Sequence, residues 1–100
     1  MKNEVVIKFE WDEQKAISNL KKHKVSFKEA ESSFDDPCAR LIPDPEHSKC
    51  EERFILMGVG QHMRILIVCH CYRENDSLIR IISARKANKK EQSSYKEFLT

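Results

Sequence analysis

The sequence predicts an α+β fold, an antiparallel sheet of about four or five strands packed with two N-terminal helices and one C-terminal helix. Three observations lead there. Residues 12–34 carry apolar side chains at helical spacing behind two capping signatures. Residues 39–84 read as consecutive short strands with short turns between them, the pattern of an antiparallel meander. Asn88 and Glu91 repeat the capping signature ahead of a last amphipathic segment.

Taken in order, Val5 to Trp11 is β-branched and aromatic and reads as a first strand. Asp12 can N-cap a helix running to Lys22–Lys24, with Ala16, Ile17 and Leu20 expected on its core face. Ser26 and Glu29 form a capping box for a short second helix with Phe27, Ala30 and Phe34 inward. Pro37 ends it. Residues 39–43 suit an edge strand. Glu52 to Val59 is a further strand whose end Gly58 and Gly60 are expected to loosen into a turn. Arg64 to Tyr72 is apolar on both faces, as a central strand covered on both sides would be. Residues 73–77 turn the chain into a strand from Leu78 to Ala84. Strict alternation would put Arg80, Ile82 and Ala84 on one face of it and Ile81, Ser83 and Arg85 on the other. The last helix is expected to turn Tyr95, Phe98 and Leu99 inward.

The 100 residues, 40% of them hydrophobic, suffice for one modest core, so residues 1–100 are read as a single domain. Two Gly and three Pro argue against a low-complexity chain. The net charge of +2 says little, but its distribution is uneven. Residues 15–28 hold five Lys and no acid; residues 29–52 hold eight acids against Arg40 and Lys49; residues 64–100 hold eight bases against four acids. Basic blocks of this kind meet phosphates or are simply solvated helix faces. Neither a signal peptide nor a membrane-length apolar run is apparent, so a cytoplasmic protein with no membrane contact is expected. Cys38, Cys50, Cys69 and Cys71 are then reduced thiols.

Four groups of residues could carry chemistry. His23 sits among Lys21, Lys22 and Lys24 at a helix C-terminus, where the helix dipole favours cations by about 0.3–1 kcal/mol each. The same His could transfer protons near neutral pH. Arg80, Arg85 and Lys86 lie along the last strand; a guanidinium fits a phosphate bidentately, or pairs with an acid of the central block. Glu51-Glu52-Arg53 offers a general base or an ion pair. Cys69-His70-Cys71 with His47 and Cys50 has zinc-ligand types at poor spacing, since alternate strand residues point apart. No metal and no cofactor is therefore expected. Catalytic-triad, P-loop and dinucleotide patterns are missing.

From Phe9 to Phe98 the chain resembles the BrnT toxin family. The resemblance rests on Phe9-Glu10-Trp11-Asp12-Glu13-Gln14-Lys15-Ala16, Asn19-Leu20, Lys22-His23 and Val25-Ser26-Phe27, then Phe34-Asp35-Asp36-Pro37 and Glu51-Glu52-Arg53-Phe54. It continues through Arg80-Ile81-Ile82-Ser83-Ala84-Arg85-Lys86-Ala87 to Tyr95. It implies a type II toxin with a RelE-like fold that cleaves RNA and blocks translation. It also implies a BrnA-type antitoxin with a ribbon-helix-helix portion, and operator DNA bound only through the antitoxin complex. For metal-independent cleavage, Arg80 and Arg85 would stabilise the phosphate and His23 would move protons, with Glu52 as the alternative. Lys22, Arg53 and Lys86 would grip RNA, and Tyr95 would stack on a base or only pack. The antitoxin would cover the active face, or a basic segment of it would meet the acidic block from Glu29 to Glu52. The family commonly has Gly where this chain has Lys24, and a Lys in a left-handed helix cap costs roughly 1 kcal/mol. The competing readings are a non-catalytic basic binding module, such as an inactive toxin homologue, and a metal-binding regulator.

Overall fold

The computed structural model describes residues 6–47 and 51–99, so Val5 of the expected first strand and Cys50 of the zinc reading lie outside the described residues. Strand β1 (Lys8–Glu10) leads into helix α1 (Glu13–His23), where Asp12 caps the helix by accepting from the Lys15 amide at 3.1 Å. Lys24 closes α1 in the left-handed conformation, φ 60°, and donates its amide to the Leu20 carbonyl. Arg64 donates to the Lys24 carbonyl at 2.6 Å and so braces this strained residue.

Ser26 caps helix α2 (Phe27–Ser32) by accepting from the Glu29 amide. The expected box forms only by half: the buried Glu29 carboxylate goes instead to Arg64, at 2.7 Å from both Nε and a terminal nitrogen. A short 3-10 turn (Ser33–Asp35) then leads to β2 (Arg40–Pro43), and a second one (Pro45–His47) follows it. Strands β3 (Phe54–Val59), β4 (Ile65–Arg73) and β5 (Leu78–Lys86) complete the meander before helix α3 (Lys89–Leu99). Here the box is complete, with Asn88 and Glu91 each accepting from the other's amide.

The sheet has the order β1-β5-β4-β3-β2. The meander is antiparallel as expected, and β1 adds a parallel edge to β5. A parallel pair needs a crossover connection, which the chain between β1 and β5 supplies. On one face, Leu56, Leu66, Val68, Ile79, Ile81 and Ala84 pack beneath Val25, Phe27 and Ala30, all at most 7% exposed. His70 is fully buried on this face, edge-on to Phe34 and Tyr72. Burial holds its imidazole below the usual range, so it stays neutral.

Four expectations need correction. Ile17 and Leu20 are about half exposed, and the buried residue of α1 is Asn19, whose amide sets the rotation of the helix. Phe98 and Leu99 are exposed as well. Tyr95 is the inward residue of α3, and Phe98 instead lies under the Arg40 guanidinium. Gly58 sits inside β3 rather than in a turn; a Cβ there would be 2.9 Å from the Ser33 carbonyl oxygen. Finally, β5 does not alternate strictly. Cys69 pairs with Ser83 but His70 pairs with Ile81, so Ile82 is an extra, bulged residue.

Candidate active site

The bulge decides which side chains share the face opposite the helices. Residues paired across a ladder point the same way, so Arg80, Ser83 and Arg85 all fall on the side of Cys71, Cys69 and Ile67. Without the extra residue Arg80 and Arg85 would lie on opposite faces.

Asn19 brings the end of α1 to this region. The pairing of β1 with β5 covers Leu78 to Arg80, so among the described residues Ala84 has no strand partner on that side. The Asn19 amide takes its place. Its Nδ2 donates to the Ala84 carbonyl at 2.8 Å and to the Val25 carbonyl at 2.9 Å, and its Oδ1 accepts from the Ala84 amide at 3.1 Å. One turn later, at the last residue of α1, comes His23.

A cavity of about 240 Å³ results. Its walls are His23 from α1, Asp44 and His47 from the loop after β2, Arg53 at the start of β3, and Ser83 and Arg85 from β5. Ile55, Ile67 and Cys69 form an apolar floor. Burial pushes the Cys69 thiol up, so it stays protonated and is a poor nucleophile. Arg85 is held by α3, donating to both carboxylate oxygens of Glu91 at 2.8 and 2.9 Å. This bidentate bond raises the guanidinium's already high value and lowers that of Glu91, so both stay charged. Two guanidinium side chains, one of them fixed by Glu91, and two imidazoles around one cavity can bind a phosphate and exchange a proton beside it.

A sequence model described as the ribonuclease toxin BrnT of type II toxin–antitoxin systems matches residues 11–91. The chain belongs to the BrnT toxin family. Among solved structures, the Brucella abortus ribonuclease toxin BrnT is similar, with a TM-score of 0.64 and 24% identity. That match covers 84% of this chain and all of the Brucella chain, and at this identity it bears on the fold alone. No curated protein matches. Membership in a type II family brings an antitoxin protein as partner and a ribonuclease toxin as the family activity. No helix of the described residues is long and apolar enough to cross a membrane.

Within this BrnT chain the expected site residues separate into groups. His23, Arg53 and Arg85 meet in the cavity. Lys22 lines a shallow groove beside it, together with His23 and Ser83. Lys86 is exposed at the end of β5. Arg80 shares the face but lies four ladder positions away, about 13 Å at the usual rise, and is paired with Glu10 at 3.0 Å. Glu52 lines a different depression with Phe54, Tyr72 and Asp76, so it is not placed to serve as base beside Arg85. Of the two roles expected for Tyr95, the structure has it packing rather than presented for a base: it is 4% exposed and its hydroxyl donates to Asp36 at 2.5 Å. Burial and the Asp36 carboxylate push its phenol up to about 12.

Much of the acidic block is also engaged within the chain. Glu29 is bound to Arg64, Asp36 to Tyr95, Asp44 to His47 and Glu51 to Arg73. Among the described residues no group of three His, Cys, Asp or Glu is arranged to hold a metal. Sequence reasoning missed Asn19 as an organiser, Glu91 as the partner of Arg85, and Asp44 with His47. The last pair had a local signal, an acid three residues before a His between and after two prolines.

Proposed function

We propose that this protein is a metal-independent endoribonuclease of the cytoplasm that cuts RNA at the cavity and thereby stops translation. A BrnA-type antitoxin silences it by covering that face, and the joint complex represses its operon through DNA contacts made by the antitoxin. The observation that carries the reading is the convergence of His23, Arg53 and Arg85 from three separate elements on one cavity. Cleavage of RNA by its own 2′-hydroxyl needs a proton acceptor and cations on the phosphate, and these side chains supply both. Lys22, in the groove beside the cavity, extends the positive surface for flanking phosphates, whereas Lys86 pairs with Leu66 and turns toward the other face.

The test is cleavage of RNA by the purified chain in EDTA, with and without ribosomes, alongside growth arrest on induced expression. Arg85→Ala is expected to lower cleavage by about 10²–10³, as for loss of one transition-state donor. Arg80→Ala is expected to cost less than about tenfold, since it lies away from the cavity. Wild-type protein that is folded yet neither cleaves RNA nor arrests growth would replace this reading with the non-catalytic binding module.

A further inference from the structure

We propose that His47, held by Asp44, is a second proton-transfer group across the cavity from His23, and that it protonates the leaving oxygen of the cleaved RNA. The inference rests on the ribonuclease reading and adds to it the acid that reading lacks.

The loop is built to present this ring. Pro43 and Pro45 flank Asp44 and fix φ on either side of it. The Asp44 amide donates to the Arg53 carbonyl at 2.9 Å, and the His47 amide donates to the Asp44 carbonyl. The Asp44 carboxylate is only 12% exposed, and its Oδ2 lies 2.9 Å from Nδ1 of His47. Folding has drawn that carboxylate largely out of water beside an imidazole that is itself 62% exposed. A carboxylate on Nδ1 orients the ring, leaves Nε2 for the cavity and provides the counter-charge of an imidazolium.

The charged and titratable groups that line the cavity with His47 come from every wall. They are Asp44 on its own loop, His23 at the end of α1, Arg53 at the start of β3, Arg85 on β5 and the protonated Cys69 thiol on β4. In the reaction, the 2′-oxygen forms its bond to phosphorus while the bond from phosphorus to the 5′-oxygen breaks. The 2′-hydroxyl proton passes to His23, and His47 gives a proton to the departing 5′-oxygen. The products are a 2′,3′-cyclic phosphate and a 5′-hydroxyl, and water restores both rings. Arg53 and Arg85 neutralise the charge that builds on the phosphoryl oxygens. Asp44 acts through His47 and is a positioning residue.

The experiment uses the full chain and a short oligoribonucleotide containing a site mapped with the wild type. It is made with the natural 5′-oxygen and, separately, with a bridging 5′-sulfur that leaves without being protonated. His47→Gln is expected to slow the oxygen substrate by about 10²–10⁴ and to cleave the sulfur substrate within about tenfold of wild type. His23→Gln is expected to be slow on both. Asp44→Asn is expected to follow His47→Gln, slowed on the oxygen substrate and close to wild type on the sulfur one, which a merely structural role would not cause. Wild-type rates from His47→Gln on the oxygen substrate, or equal losses on both substrates, would overturn the assignment while leaving the ribonuclease reading intact. Failure of the wild type to cleave either substrate removes the ribonuclease reading, and this assignment with it.

Discussion

The two faces of the sheet share strands β3, β4 and β5 and differ in what lies on them. One face carries Leu56, Leu66, Val68, Ile79 and Ile81 under α1 and α2, and is dry. The other carries Arg53, Arg80, Ser83 and Arg85 around a few apolar side chains, with α3 tied on by Glu91, Ser94 and Tyr95 rather than by an apolar stripe. The first face holds the fold together, and the second places charge where a ligand can reach it. Stability and chemistry are thus divided by one sheet thickness, and truncating an apolar side chain should cost far more stability on the first face than on the second.

The sharpest break in that contrast is Phe27→Ala. Phe27 is 2% exposed and packs edge-on to Trp11, so truncation is expected to cost about 3–5 kcal/mol, read from urea unfolding. Ile42→Ala, half exposed on the second face, should change stability by no more than about 0.5–1 kcal/mol. Equal losses at the two positions would show that both faces are core.

Asn19→Ala comes next, because Asn19 belongs to both faces. It leaves the Ala84 amide and carbonyl without their side-chain partner, and about 2–3 kcal/mol of stability should go. Cleavage should fall too, as His23 loses its footing. Full activity in a destabilised Asn19→Ala protein would dissociate the cavity from this amide.

Tyr95→Phe tests how α3 is attached. Burial alone would raise the Asp36 carboxyl, but hydrogen bonds from Tyr95 and from the Val59 and Cys38 amides hold it below the usual range. A lowered carboxyl lends stability above its ordinary value and loses it as pH falls through the folded one. The raised phenol behaves oppositely: its stability is present below pH 10 and is lost as pH climbs through about 12. The Tm advantage of wild type over Tyr95→Phe, worth about 1–2 kcal/mol at neutral pH, should therefore shrink below pH 4 and above pH 10. A constant difference across that range would mean the hydroxyl is not what anchors the helix. The smallest effect belongs to Lys24→Gly, expected to stabilise by about 0.5–1 kcal/mol because Gly suits the left-handed cap.

Local signals explain what was legible in the sequence. Asp12, Ser26 and Asn88 start helices through bonds reaching three residues, so a reader of neighbours finds them. His23, Arg53 and Arg85 were legible as residue types suited to phosphate chemistry. The features that were not legible depend on distant partners. The parallel union of β1 with β5 spans about seventy positions of chain. The bulge at Ile82 appears only against β4, and alternation read along β5 alone put Arg85 on the wrong side of Arg80. Leu20 looked like a core residue because it falls at helical spacing with Ala16 and Ile17, yet Asn19 has three backbone partners waiting inside.

That amide has a further consequence, for solubility. A sheet edge with unsatisfied amides and carbonyls is a template on which another chain can grow. β2 is a short edge ending in Pro43, which gives a newcomer little to hold. Beyond Arg80, no strand of the described residues lies beside the outer edge of β5, which is sealed by α1 through Asn19. Loss of that contact should make the protein sticky before it makes it unfolded, with fibrillar or amorphous aggregates forming at temperatures where the core on the other side of the sheet is still intact.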